Sequence, residues 1–119
     1  MPRRLFALRG AIDVPDNDAD AILDATSKLI NEIVQRNALE PEDLLSCIFT
    51  VTEDLDAQFP AAAARQLGFT HVALLCAREI PVPGSMPRVI RLLLHYYADE
   101  HHRPQPVYLG KTGALRDDL

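Results

Sequence analysis

From Arg3 to Val14 the largely apolar chain, broken by Arg9 and Asp13, divides into two faces with a period of two. Leu5, Ala7, Arg9 and Ala11 fall on one face and Phe6, Leu8, Gly10 and Ile12 on the other, the pattern of a strand. The period changes after Pro15-Asp16-Asn17-Asp18, a turn sequence that supplies a helix N-cap. Ile22, Ala25, Leu29, Ile30, Ile33 and Val34 then recur at helical spacing as far as about Arg36. Asn37 to Glu40 closes this helix, and Pro41-Glu42-Asp43 reads as the first turn of a short one. The β-branched and aromatic run Cys47-Ile48-Phe49-Thr50-Val51-Thr52 predicts a second strand. Phe59 to Leu67 predicts a short helix, with Pro60 at its first position and Gly68 as its stop. Val72 to Cys76 is a third strand, and Val89 to Tyr97 the fourth and longest. A polar loop, Asp99 to Pro106, precedes the short docked segment Val107-Tyr108-Leu109, and residues 110–119 mix Gly, Lys, Arg and Asp as a mobile C-terminal segment does.

The order β-α-β-α-β-β predicts an α+β domain with a mixed sheet and helices packed mainly on one face. Strand four is apolar at nearly every position, so the second sheet face also needs cover. The chain has no more helices to offer, and an oligomer is expected to bury that face. At 119 residues, with no Gly/Ser linker and no low-complexity run, the whole of 1–119 reads as one domain with a core of its own.

Twelve basic and seventeen acidic side chains give a net charge of -5, and the arginines are scattered, which argues against a nucleic-acid partner. Cys47 and Cys76 each lie in an apolar run and read as reduced thiols of a cytoplasmic protein. The N-terminal apolar stretch is interrupted by Arg9 and Asp13, unlike a signal peptide. No run approaches the ~18 apolar residues of a membrane span.

There is no P-loop, GxGxxG, GxSxG or CxxC, so cofactor and phosphate machinery are not expected. Asp99-Glu100-His101-His102 has metal-binding residue types, but adjacent residues of an extended segment point to opposite sides, and a solvated loop is the simpler reading. For Cys76 as a nucleophile the nearest base in sequence is His71, on the same strand, so a buried thiol is expected. His95, Tyr96 and Tyr97 read as packing or interface residues, and Phe59 as a core anchor. Arg91 is the misplaced residue. It sits within Val89-Ile90-Arg91-Leu92-Leu93-Leu94, and a charge taken out of water there requires an anion. Glu79 is one candidate, as a structural ion pair. With Arg9 in another apolar strand and Arg65 on the short helix, cations outnumber the one carboxylate placed to meet them, and an anionic small molecule becomes the economical partner.

Several segments together resemble the AroH-type monofunctional chorismate mutases of bacteria. They are Leu8-Arg9-Gly10-Ala11; Thr50-Val51-Thr52-Glu53-Asp54-Leu55 with Phe59-Pro60-Ala61 and Ala64-Arg65; Cys76-Ala77-Arg78-Glu79 with Pro81-Val82-Pro83-Gly84; Arg88-Val89-Ile90-Arg91; and Val107-Tyr108-Leu109 with Leu115-Arg116. The resemblance implies a homotrimer whose sheets pack into a pseudo-barrel, with active sites at the subunit interfaces. It implies the Claisen rearrangement of chorismate to prephenate, the branch towards phenylalanine and tyrosine, without cofactor, metal or covalent intermediate. Chorismate is a dianion, which accounts for the arginine surplus.

On this resemblance Arg91 donates to the ether oxygen, Glu79 accepts from the ring hydroxyl with Cys76 beside it, and Arg9 and Tyr108 hold a carboxylate. Arg91 and Glu79 then face opposite ends of the substrate, with the loop from Pro81 to Pro87 fixing their separation. Phe59, Ala61 and Arg65 form the wall from the adjacent subunit, and Leu115 and Arg116 a mobile cover. Ala62 stands where some members have Lys, and Leu75, a substrate-binding position, where some have Thr; four residues follow Leu115. These departures bear on affinity more than on the reaction. Two other functions fit a similar trimer: a non-catalytic module for small carboxylates, and a deaminase of small imines, for which no motif is present.

Overall fold

The computed structural model describes residues 2–118, except for the side chains of 116–118. Strand β1, Arg3–Asp13, leads into helix α1, Ala19–Arg36; a 3-10 turn, Pro41–Asp43, precedes β2, Leu44–Val51. Helix α2, Ala61–Gln66, β3, Ala73–Arg78, and β4, Val89–Asp99, follow; β5, Val107–Leu109, runs into a 3-10 segment, Gly110–Asp118. The strands form one sheet in the order β3-β2-β4-β1-β5. It is mixed: β4 is antiparallel to β1 and β2, while β3 pairs parallel with β2 and β5 parallel with β1. The α+β class and the element order agree with the sequence reading.

Some bounds differ from it. The segment 107–109 is a fifth strand, because β1 presents a second edge that its Gly10, Ala11 and Ile12 use to pair with Val107, Tyr108 and Leu109. Strand β4 continues beyond Tyr97 to Asp99, since β1 pairs with it residue for residue back to Arg3↔Asp99. Strand β2 starts earlier than its apolar run suggests, because Leu44 and Ser46 already pair with Tyr96 and His95 of β4, and β3 ends later, because its ladder with β2 continues to Val51↔Arg78. Helix α2 is shorter than expected, with Pro60 as its N-cap.

Helix α1 begins where Asp18 accepts a hydrogen bond from the Ala21 amide at 2.8 Å. Its Ile22, Ala25, Leu29, Ile30 and Ile33 are buried against Phe6, Leu8 and Ile12 of β1, Cys47 and Phe49 of β2, and Leu92, Leu94 and Tyr96 of β4. Gly10 allows the close approach. A Cβ there would lie 2.9 Å from Ile33 Cδ1 and 3.1 Å from the Val107 carbonyl oxygen, so a side chain would push both α1 and β5 away. With the helical layer on this face, the odd-numbered positions of β1 and β4 turn to the other. Leu5, Leu75 and Tyr97 are exposed there, Leu75 at 61%.

The entry to β4 is pinned. Arg88 adopts φ 50°, unusual for a residue with a side chain. Its amide donates to both Asp54 carboxylate oxygens, at 3.1 and 3.0 Å, and its Nε donates to the Val14 carbonyl at 3.0 Å. The Val89 amide donates to the Thr52 hydroxyl at 3.0 Å. These contacts set the register three residues before Arg91.

Two buried acids predict how stability varies at high pH. Burial, aided by the neighbouring Cys76, pushes the Cys47 thiol up to about 12, and burial pushes the Tyr96 phenol up to about 12. Both hold their protons more tightly when folded, so stability is intact below about pH 9 and falls as pH rises towards 12. Urea midpoints at pH 8 and pH 10.5 should show the decline. Cys47→Ala should lessen it; an equal decline in the variant would rule the thiol out.

Candidate active site

Register places the functional side chains. Thr50 pairs with Ala77 on one side and Arg91 on the other; Arg91 pairs with Ala11, and Ala11 with Tyr108. This row crosses all five strands on the face opposite the helices. Strands are spaced ~4.8 Å apart, which puts the Arg91 and Tyr108 backbones roughly 10 Å from one another. Arg9 pairs with Leu93 and so stands diagonally across from Arg91 on the same face.

Glu79 reaches this row from the β3 side. Its amide donates to the Val51 carbonyl at 2.9 Å, extending the β2–β3 ladder one residue beyond β3. Its Oε2 accepts from the Thr50 hydroxyl at 2.6 Å and lies 3.1 Å from Arg91 Nε. Arg91 and Glu79 therefore meet directly; they are not held apart by the Pro81–Pro87 loop. Cross-strand pairing of Thr50 with Arg91 brings the carboxylate bound by one onto the other.

The contact is an ion pair by distance but not a hydrogen bond, because the N–H direction misses the carboxylate. Arg91 Nε is buried and has no hydrogen-bond partner among the described residues. Burying a donor without an acceptor costs ~1–3 kcal/mol, so Nε is left with an unmet demand for one.

The other predicted residues fall into separate neighbourhoods. Phe59 and Cys76 line one cleft of about 330 Å³, together with Leu55, Gln58, Pro60 and Arg78. Phe59 is 65% exposed and is not a core anchor, since the loop before α2 carries its ring outward. Ala61 is buried in the core. Arg65 borders a different groove, with Phe69 and Leu74. Cys76 is partly buried on the helix side of the sheet. Leu75, its neighbour in sequence, therefore faces the opposite side. Leu115 is partly buried in the 3-10 segment, which is anchored to β1 through Thr112, whose hydroxyl lies 3.1 Å from the Ala11 carbonyl oxygen. The Arg116 side chain lies outside the described residues.

His102 folds inward, with Nε2 2.7 Å from the Tyr96 hydroxyl, and no group of three or more metal-binding side chains occurs among the described residues. Among the described residues no helix is long and apolar enough to cross a membrane. Thr50 and Arg78 were not assigned roles from the sequence. The alternation of β2 puts Thr50 on the open face, but only the register reveals Glu79 as its partner.

The chain matches the family described as Chorismate mutase type I over residues 5–119. It is 48% identical to chorismate mutase AroH of Thermus thermophilus over 114 residues, covering 94% of this chain and 93% of that protein. Chorismate mutase AroH of Bacillus subtilis is 35% identical over 114 residues, covering 94% of this chain and 90% of that protein. A chorismate mutase structure from Clostridium thermocellum superposes with a TM-score of 0.87 at 46% identity, covering 92% of this chain and 99% of the other. Near-complete coverage in each comparison, together with the five-stranded sheet that sets Arg91 beside Glu79, means that the chain belongs to the type I chorismate mutase family.

Proposed function

We propose that this chain converts chorismate to prephenate by a Claisen rearrangement, as a cytoplasmic enzyme of phenylalanine and tyrosine biosynthesis. The observation that carries this reading is the buried Arg91 Nε without a hydrogen-bond partner among the described residues, next to Glu79 and on the same face as Arg9. In the rearrangement one C–O bond breaks and one C–C bond forms within a single molecule, so no co-reactant, cofactor or metal is called for. Negative charge grows on the ether oxygen as the C–O bond lengthens. A fixed guanidinium aimed at that oxygen lowers the barrier because it interacts more strongly with the transition state than with the ground state.

In this reading Glu79 accepts a hydrogen bond from the ring hydroxyl, Cys76 contributes through its backbone because its side chain lies on the helix side of the sheet, and Arg9 and Tyr108 hold a carboxylate. Those contacts select the compact chair of a flexible substrate, which removes entropy from the barrier. The substrate enters between Arg91 and Glu79, each of which exchanges part of their mutual contact for a substrate atom.

The assembly is a homotrimer with the open sheet faces packed into a pseudo-barrel and a site at each interface. Exposed Leu5, Leu75 and Tyr97 on that face support this. Phe59, Ala61 and Arg65 then line the site from the adjacent subunit, Ala61 through its backbone because its side chain is buried, and Leu75 is a further substrate-binding position. Leu115 and Arg116, in the segment that follows β5, cover it. Purified protein should consume chorismate, followed by its absorbance, and elute at three times the chain mass. Absence of acceleration over buffer would leave a carboxylate-binding module instead. A monomer elution volume would remove the interfacial site.

A further inference from the structure

Glu79 has two carboxylate oxygens, and the structure treats them differently. Oε2 is engaged twice, accepting from the Thr50 hydroxyl at 2.6 Å and lying 3.1 Å from Arg91 Nε. Oε1 makes no hydrogen bond to a described residue. The Glu79 side chain is only 17% exposed, and its backbone is tied to Val51 at 2.9 Å. Among the described residues the Thr50 hydroxyl is thus the one donor that decides how the carboxylate plane is turned. Thr50 itself has little freedom: it is paired on both sides, to Ala77 and to Arg91, with one further pair beyond it in each ladder, and its β-branched side chain is stiff about χ1.

The geometry points to Thr50 as a positioning residue, whose hydroxyl holds Oε2 of Glu79 and so presents Oε1 to the substrate hydroxyl. This rests on the reading of Glu79 given above. Arg91 attracts the carboxylate but does not orient it, since its Nε–H makes no hydrogen bond to it. A carboxylate held by charge alone can rotate and close both oxygens onto the guanidinium. That rotation would remove the acceptor for the substrate and occupy the donor meant for the ether oxygen. A hydroxyl donor on Oε2 blocks it, because leaving that hydrogen bond costs free energy for each turned state.

Thr50→Val keeps the shape and removes the donor. It should lower kcat/KM roughly tenfold, the worth of one hydrogen bond to a charged group, with most of the loss in kcat. Thr50→Ser, which restores a hydroxyl, should recover most of the rate. The decisive measurement is the double-mutant cycle with Glu79→Ala. Thr50→Val should have little further effect in that background, since it acts only through Glu79. An equal loss in both backgrounds, or no loss in the single variant, would overturn the positioning role while leaving the Glu79 reading in place. Wild-type rate in Glu79→Ala alone would instead overturn the Glu79 reading. Circular dichroism and elution volume of each variant separate these outcomes from misfolding.

Discussion

Arg91→Ala should lower kcat by about 10²–10³-fold, the range found when a fixed donor to developing negative charge is removed. The loss should fall chiefly on kcat, because the group acts on charge present in the transition state rather than on ground-state binding. Arg91→Lys should recover little. An ammonium is a point charge on a flexible stem and lacks the planar fork whose Nε is buried here without a hydrogen-bond partner among the described residues. The folded state should survive, since Arg91 is partly exposed and its ion pair with Glu79 lacks a hydrogen bond. The measurement is chorismate consumption at saturating and limiting substrate, with circular dichroism as the control on folding. A near-normal rate would remove Arg91 from its role.

Phe49→Ala should have the largest effect on stability, about 3–5 kcal/mol, which is a large share of the ~5–15 kcal/mol of a typical domain. Phe49 is fully buried between the sheet and the helical layer. It lines a small apolar cavity with Ile30, Ile33, Leu92 and Leu94, and removing the ring enlarges that cavity. Part of this energy is concentration-dependent if subunits assemble, so the urea midpoint should be compared with wild type at one protein concentration. Leu75→Ala is the informative contrast. The side chain is largely exposed in the single chain and should cost little there, but it should weaken assembly if that face is a subunit interface. An unchanged midpoint for Phe49→Ala would mean that the core is not organised around this ring.

The strongly periodic segments were legible because their burial depends on a single partner surface. Helix α1 has one apolar stripe and a capping aspartate, and β1 buries Phe6, Leu8, Gly10 and Ile12 on one face, so each announces its own structure. The short β5 was less legible. Three residues form a strand only because β1 has an unpaired edge beside them, and local composition does not report on an edge. Phe59 was misread for a related reason. An aromatic before a short helix usually packs inward, and here the loop geometry carries it into an open cleft.

Within the site, Arg91 and Glu79 were visible as a charge in an apolar run and the acid nearest to it. Their distance was not. The spacing of twelve positions between them spans a turn and a crossover, and its three-dimensional length follows from how Asp54 and Thr52 hold Arg88 and Val89. Thr50 showed no signal of its own, because a threonine in a strand is accounted for by strand propensity.

By itself the sequence determined the α+β class, the main helix and strands, the absence of cofactor motifs, and the misplaced charges that call for an anion. These are local matters, set by periodicity, capping and charge. Tertiary structure alone decided which of those residues meet. Strand order and register put Thr50, Arg91 and Tyr108 in one row, join Glu79 to the first two, and leave Arg91 Nε buried without a hydrogen-bond partner among the described residues. The physical reason is that pairing across a sheet is a long-range choice. A shift by one residue would turn every side chain of a strand to the opposite face, and the burial of α1 against the even-numbered positions of β1 and β4 selects one register among them.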